Sequence, residues 1–206
     1  HLLRQPGDDR FRLYFNREPA PGVLERTANA EWRAIPAARL WTHGRLSLEM
    51  LLRPPDVLFV PAHALPLIHP RASVVTVHDV IPYLPEVADA TLCGRYWLKT
   101  VPDAIRSAAA VITDSEASRR DILSFYPSTS PERVEVVPNA IDEAILQDPG
   151  EEEMERVRER YQIRGRFVLY AGNVKPHKNL ERLVSAFALA RQRGGLEDVK
   201  LILIGD

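Results

Sequence analysis

The sequence predicts an α/β fold built on parallel, doubly wound sheets. Segments with the pattern of strands alternate with segments of helical periodicity along most of the chain, as is typical of parallel sheets whose crossovers are helices. Several strand segments are continuous apolar runs, as expected where helices cover both faces of a sheet. The chain has 206 residues, of which 45% are hydrophobic, so it is long enough to bury a full core.

Seven segments have the length and apolar content of strands. In chain order they are Phe11–Phe15, Asp56–Val60, Ser73–His78, Ala109–Thr113, Arg133–Val137, Phe167–Ala171 and Val199–Ile204. Five further segments repeat their apolar residues at helical spacing. These are Ala38–Arg53, Thr91–Ser107, Glu116–Phe125, Glu151–Tyr161 and Leu180–Arg193.

Several of these helices carry recognisable end signals. The sequence Asp-Ser-Glu at 114–116 suits the first turn of the third helix whether or not a ligand binds there, and capping is the expected role of Ser115. Asn179 is expected to cap the last helix, which Gly194-Gly195 ends. The fourth helix, Glu151–Tyr161, is mostly charged, as expected of a solvated helix.

A domain boundary is expected after the fifth strand. Turn-forming residues interrupt the alternation from Pro138 to Gly150, where Asn139 suits a turn. The charged helix follows, and then a new strand–loop–helix unit begins. We therefore expect an N-terminal α/β domain at residues 1–138, an interdomain linker with the charged helix at 139–166, and the start of a second α/β domain at 167–206.

Composition excludes several classes of function. The formal net charge of −1 gives no general attraction for nucleic acid, and no basic run is interleaved with stacking aromatic residues, so no nucleic-acid partner is expected. Cys93 is the single cysteine, which excludes an intrachain disulfide and a cysteine-rich zinc site and agrees with a reducing cytosol. The longest apolar stretch, Val57–Ile68, is too short to span a bilayer.

A short cationic loop follows the sixth strand. Gly172 releases the backbone from the sheet, and Lys175, His177 and Lys178 then lie immediately before a helix. A helix N-terminus with free N–H groups attracts phosphate, and the preceding side chains add positive charge. An anion site and an ordinary strand-to-helix turn with solvated lysines both fit this pattern.

A second candidate site lies at the carboxyl end of the third strand, where ligands bind in open α/β sheets. The strand releases His78 and Asp79 there, and a proline-rich loop follows. Asp79 could orient His78, or either side chain could bind a hydroxyl. Histidine titrates near neutrality and can therefore carry a proton in a cleft. The alternative is a structural histidine at the end of a strand.

Four motifs, in their order along the chain, resemble the retaining glycosyltransferases of family 4, group 1, and are most similar to the bacterial mannosyltransferase-like branch used in polysaccharide assembly. The resemblance covers about residues 55 to 206. It implies the GT-B architecture, in which two Rossmann-like domains have helices on both faces of their parallel sheets. The motifs are His78-Asp-Val-Ile-Pro with Pro85-Glu soon after, Asp114-Ser-Glu-Ala-Ser-Arg-Arg-Asp, Val137-Pro-Asn-Ala-Ile-Asp, and Tyr170-Ala-Gly-Asn-Val-Lys-Pro-His-Lys-Asn-Leu.

The resemblance also implies roles for particular residues. The pair His78-Asp79 falls on the acceptor side, where the family has a cleft histidine near the transferred sugar. Lys178 falls on the lysine that contacts the donor diphosphate, and Gly172 on the glycine that lets the loop approach the phosphates. Many relatives carry an arginine where this chain has Asn173, so Lys175 becomes the candidate for the second phosphate cation.

The activity implied by the resemblance is metal-independent transfer of a sugar, with mannose as one candidate, from a nucleoside diphosphate sugar to a polysaccharide or lipid-linked acceptor. No cofactor is implied, because a fixed cation and helix N–H groups can stabilise the departing diphosphate. The alternative is a non-catalytic GT-B-like binding or scaffold module. The family's opening glycine-rich loop and acidic donor motif fall outside residues 1–206, so we expect a truncated second domain and no activity from this chain alone.

The first helix also suggests a membrane contact. Ala38–Arg53 combines leucines with Arg39, Arg45 and Arg53, so it could lie on an anionic bilayer where lipid-linked acceptors reside. The alternative is that its apolar residues pack against the sheet. We expect a cytoplasmic protein, with the inner face of the membrane as an alternative location.

Overall fold

The computed structural model describes residues 2–22, 24, 26–80 and 92–205. These residues belong to two compact units, His1–Asn139 and Ala140–Asp206. The proline-rich loop expected after His78, including the Pro85-Glu86 pair, lies outside the described residues.

The first unit is an α/β unit in which, among the described residues, every strand pair is parallel. Its strands are β1 (Phe11–Phe15), β2 (Ala30–Ala34), β3 (Leu58–Val60), β4 (Ser73–Thr76), β5 (Ala110–Thr113) and β6 (Val134–Val136). Its longer helices are α1 (Ser47–Leu52), preceded by a π-helical segment at Trp41–Leu46, α2 (Leu92–Ser107) and α3 (Glu116–Phe125). Strands β3, β4, β5 and β6 form one sheet in that order, and β1 pairs with β2.

The register of the four-stranded sheet places apolar residues side by side and aligns the strand ends. Val60 pairs with Val75, Val75 with Val111, and Val111 with Val134, so an apolar row crosses the sheet. Val75 and Val111 are fully buried. Because all four strands run in the same direction, the residues that follow them emerge at the same edge of the sheet.

Helix α2 covers this sheet with an apolar stripe. Val101, Ala104 and Ile105 recur at helical spacing and are buried, as is Ala108 directly after the helix. Burying a side chain of the size of Val101 or Ile105 contributes roughly 1.5–3 kcal/mol, so the stripe fixes the helix against the strands. The buried core also includes Ile35, Leu46, Met50, Leu58, Leu65, Val77, Val80, Ile122 and Val134.

Helix α1 carries a buried carboxylate. Glu49 is 2% exposed, and its carboxylate oxygens lie 3.2 Å from Arg33, 3.4 Å from Arg45 and 3.5 Å from Arg53. Oε1 of Glu49 is at ion-pair distance from Arg33 and Arg53 but lacks the alignment of a hydrogen bond. Two of the three arginines that could have lain on a bilayer, Arg45 and Arg53, therefore face a buried charge of their own chain.

The second unit contains a parallel pair of strands, β7 (Phe167–Ala171) and β8 (Lys200–Ile204). Its helices are α4 (Glu143–Leu146), α5 (Gly150–Arg160) and α6 (Leu180–Gln192). Within the described part of this unit, an open groove of about 1130 Å³ lies between α5, α6 and β8. The apolar side chains of the strand pair are largely exposed, with Phe167 at 45% and Leu169 at 51%.

The α/β fold with parallel sheets is confirmed, and all seven expected strands are present. Strand β2 was not predicted. Its sequence, Ala-Glu-Trp-Arg-Ala, carries two charges in five residues, so it lacks an apolar run, and its position depends on tertiary pairing with β1 and on ring contact between Phe15 and Trp32. No helix among the described residues is long and apolar enough to cross a membrane.

Candidate functional site

Polar side chains from three neighbouring strands meet at the carboxyl-terminal edge of the four-stranded sheet. His63 follows β3, His78 follows β4, and Asp114 comes directly after β5. In open parallel sheets this edge is where ligands bind. We call these three residues the histidine cluster.

Asp114 orients the His78 ring. The Nδ1 atom of His78 lies 2.8 Å from Oδ2 of Asp114, and the two side chains are 40% and 24% exposed. When the imidazole is neutral, Nδ1–H donates to the carboxylate, so Nε2 presents its lone pair and can accept a hydrogen bond from a hydroxyl. The sequence suggested Asp79 for this orienting role and assigned Asp114 only to a helix start.

His63 packs against His78. The two ring centroids are 5.3 Å apart and the rings are nearly perpendicular, at 84°. The His63 ring also contacts the Trp97 ring of α2, with their centroids 5.4 Å apart. Burial lowers the pKa of His63 below its usual value, and a positive charge on His78 would lower it further, while Asp79 and Asp114 act in the opposite direction. His63 is therefore neutral at neutral pH.

Sequence reasoning missed His63 and Trp97 as members of this site. One signal was available, because His63 follows the predicted strand Asp56–Val60, just as His78 ends the next predicted strand. Once the strands are placed side by side in a parallel sheet, their carboxyl ends must meet. The contact with Trp97 could not be predicted in this way, since it depends on the rotation of α2 against the sheet.

Ser115 caps α3, as expected. Its side chain accepts a hydrogen bond from the backbone N–H of Ser118 at 3.1 Å. This bond satisfies one of the free N–H groups of the helix start. The helix is further tied to the sheet by Arg119, whose guanidinium donates to the carbonyl oxygens of Val134 and Pro131. Asp114 is thus held at the end of β5 by a rigid strand-to-helix junction.

The cationic loop of the second unit joins β7 to α6. A 3₁₀ turn at Pro176–Lys178 precedes the helix, and the side chains of Lys175, His177 and Lys178 are exposed. Neither lysine forms an ion pair with a described residue. The loop therefore presents positive charge next to a helix N-terminus, as an anion site requires.

The prediction that Asn179 caps α6 is wrong. Asn179 has φ 55° and ψ 40°, in the left-handed region, and its side chain makes no capping hydrogen bond. A capping side chain reaches the helix N–H groups from an extended backbone, and the 3₁₀ turn before Asn179 places it in a different conformation. The first N–H groups of α6 consequently have no side-chain cap.

Two glycines shape the start of this loop. Gly172 has φ 155°, and its N–H donates to the Ile204 carbonyl at 2.9 Å. At Gly205, a Cβ atom would lie only 1.8 Å from the Gly172 carbonyl oxygen, so the two strand ends approach as closely as backbones can. Gly172 therefore helps to hold the end of β7 against the end of β8. This structural role is separate from its expected role of letting the loop approach the phosphates.

Asn173 lies at the base of the loop. Its carbonyl oxygen accepts a hydrogen bond from the Tyr170 hydroxyl at 3.0 Å, which fixes the backbone at the end of β7. Its side-chain oxygen is buried and has no hydrogen-bond partner among the described residues. The structure therefore brings Gly172, Asn173, Lys175 and Lys178 into one loop of the second unit, while His78 and Asp79 lie in the first.

Comparison with known proteins places the chain among enzymes that handle sugars. Residues 5–145 match the family model described as Glycosyltransferase Family 4. The chain is also 31% identical over 130 residues to an alpha-maltose-1-phosphate synthase of Mycolicibacterium smegmatis, an alignment that covers 60% of this chain and 33% of that protein. The alignment thus spans about a third of the length of this curated relative. The family match includes the histidine cluster, and the cationic loop follows it.

Proposed function

The chain belongs to glycosyltransferase family 4, and on that premise we propose that it is part of a retaining glycosyltransferase. The proposed reaction transfers a sugar from a nucleoside diphosphate sugar to a polysaccharide or lipid-linked acceptor. The observation that carries the proposal is the histidine cluster, in which Asp114 turns His78 so that Nε2 can bind a hydroxyl. Mannose is the proposed sugar, on the resemblance of the motifs alone. Neither a metal nor a cofactor is part of the proposed reaction.

The first unit would position the reacting sugar. His78 is partly exposed and has its Nδ1 edge bound to Asp114, so its Nε2 atom can accept a hydrogen bond from a sugar hydroxyl in a defined direction. Among the described residues, Nε2 has no hydrogen-bond partner that would compete. Such a contact contributes by holding the reacting groups in one geometry.

The second unit would bind the donor diphosphate. As the bond between the anomeric carbon and the diphosphate oxygen breaks, negative charge grows on that oxygen. The ammonium of Lys178 and the uncapped N–H groups of α6 can stabilise this charge without a metal ion. Lys175, three residues before Lys178, is the proposed second cation in place of the arginine that many relatives carry at the position of Asn173.

A non-catalytic binding or scaffold module of the same fold is the second candidate function. Asn173 favours it, because a neutral amide stands at a position where many relatives have a cation. Such a module would bind a nucleoside diphosphate but release no sugar. Product analysis separates the two, and it should include α-maltose 1-phosphate, which the relative's name identifies as its product.

The transferase proposal predicts that His78→Ala in the full-length protein lowers kcat by about tenfold to a hundredfold, because the reacting sugar loses an oriented contact. Donor affinity should change little, since the diphosphate contacts lie in the other unit. Release of nucleoside diphosphate from a panel of nucleotide sugars measures kcat, and calorimetry measures donor affinity. Asp114→Ala should lower kcat in the same way, because it removes the carboxylate that holds the His78 ring.

The matched control for this measurement is another histidine of the same sheet. His69 lies before β4 and hydrogen-bonds to Ser73 and Ser107, so His69→Gln should leave kcat unchanged. Unaltered turnover in His78→Ala would make His78 a structural residue and remove the main support for the proposed site.

We also propose peripheral contact with the inner face of an anionic membrane through the leucines of α1. Leu51 is 60% exposed and Leu52 is 65% exposed. Because Arg45 and Arg53 contact Glu49, these leucines and Arg39 are the groups available to a bilayer.

Replacing Leu51 and Leu52 by serine should reduce sedimentation of the full-length protein with anionic liposomes. Leu146→Ser, at an equally exposed leucine of the second unit, is the control, and equal sedimentation of all three proteins would contradict the proposal.

A further inference from the structure

We propose that His63 is a positioning residue, whose ring packs against His78 and keeps the His78 imidazole turned with Nδ1 on Asp114 and Nε2 available to a ligand. The kinetic consequence of this contact rests on the transferase function proposed above. The orientation of the His78 ring does not, and it can be measured separately.

The His78 ring needs a second contact to hold its orientation. Rotation of a histidine ring about its terminal side-chain bond has broad, roughly two-fold preferences. The hydrogen bond to Asp114 fixes one edge of the ring, but at 40% exposure water can compete for that bond. The nearly perpendicular His63 ring, 5.3 Å away, restricts the rotation that would move Nδ1 away from the carboxylate.

His63 is itself held in place by α2. Its ring contacts Trp97 at 5.4 Å, and α2 is fixed to the sheet by its buried stripe. A continuous series of contacts therefore runs from α2 through Trp97, His63 and His78 to Asp114. Contacts that reach back to α2 on one side and to the end of β5 on the other therefore set the direction of the His78 ring.

The contribution of His63 depends on the shape of its ring and on its neutrality. Its Nδ1 atom is buried and has no hydrogen-bond partner among the described residues, so no polar contact of that atom explains the packing. Two charged imidazoles at this separation would repel each other. Burial favours the neutral form of His63 against the opposing charges of Asp79 and Asp114. A neutral aromatic ring of another kind should therefore serve in its place.

Nitrogen NMR of the full-length protein, labelled with ¹⁵N-histidine, tests this role. In the unaltered protein the neutral form of the His78 ring should be the Nδ1–H tautomer, because Asp114 accepts from Nδ1. In His63→Ala we expect a mixture that includes the Nε2–H tautomer, with kcat about tenfold lower and the donor KM unchanged. His63→Phe keeps a neutral ring and should restore both the tautomer and kcat.

The same measurements can overturn the proposal. An unchanged His78 tautomer in His63→Ala, or a failure of His63→Phe to restore it, would show that His63 does not position the ring. If His63→Ala does not fold, His63→Leu removes the ring while keeping most of its volume. A full-length protein that transfers no sugar from any donor would refute the transferase function, whereas the nitrogen shifts would still decide the role of His63.

Discussion

Replacing Lys178 by alanine is expected to lower the turnover of the full-length protein by about a hundredfold or more. Lys178 lies two residues before Leu180, the first residue of α6, and its side chain forms no ion pair with a described residue. Its charge is therefore available to the departing diphosphate, on which negative charge increases in the transition state. The affinity for a free nucleoside diphosphate should fall as well.

Folding should hardly change in this variant. The Lys178 side chain is exposed, and the loop is shaped by backbone contacts, including the bond from the Lys178 N–H to the Lys175 carbonyl, which alanine can also make. Calorimetric titration with a nucleoside diphosphate, turnover assays and thermal unfolding separate binding, catalysis and stability. Lys99→Ala, at an exposed lysine of α2, serves as the charge-matched control.

The outcome distinguishes the proposed functions. Lower affinity together with lower turnover would support the transferase. Nucleoside diphosphate binding that depends on Lys178 in a protein without turnover would favour the binding module. If neither affinity nor turnover differs from the control, the loop is an ordinary strand-to-helix turn and the donor site must be sought elsewhere.

The parts of the fold that the sequence predicted are those with strong local patterns. Phe11–Phe15 and Phe167–Ala171 were placed with the bounds that the structure has, because apolar runs of strand length are ended by turn or charged residues. Strand β2 was missed because its two charges hide the strand pattern. The turn before α6 was missed because the sequence suggested a direct helix start at Asn179.

The site shows the same division between local and tertiary information. His78 was identified because it ends a buried strand, but its partner Asp114 lies 36 residues further along the chain. Only the pairing of β4 with β5 brings the two together. The sequence left open whether the arginines of α1 are available to a membrane, because no local pattern shows that Glu49 is buried and lies against Arg45 and Arg53.

Glu49→Ala is expected to destabilise the first unit by about 2–3 kcal/mol. Removing one partner of a buried ion pair leaves the remaining charge without compensation, and such changes cost roughly 3–5 kcal/mol when that charge stays buried. Here Arg33 and Arg45 are 22% and 33% exposed, so water can solvate part of their charge and reduce the loss. Glu49→Gln keeps the shape of the side chain but removes its charge, and it should cause most of the same loss of stability as Glu49→Ala.

Urea unfolding followed by tryptophan fluorescence measures this effect, because Trp32, Trp41 and Trp97, the three tryptophans of the chain, all lie in the first unit. The control is Asp103→Ala, which removes an exposed carboxylate 2.9 Å from Arg106 within α2 and touches none of the arginines around Glu49. An exposed pair of this kind contributes less than about 1 kcal/mol. Equal unfolding midpoints for Glu49→Ala and Asp103→Ala would contradict the stabilising role of Glu49. Arg45 and Arg53 would then be available to a bilayer beside the leucines of α1.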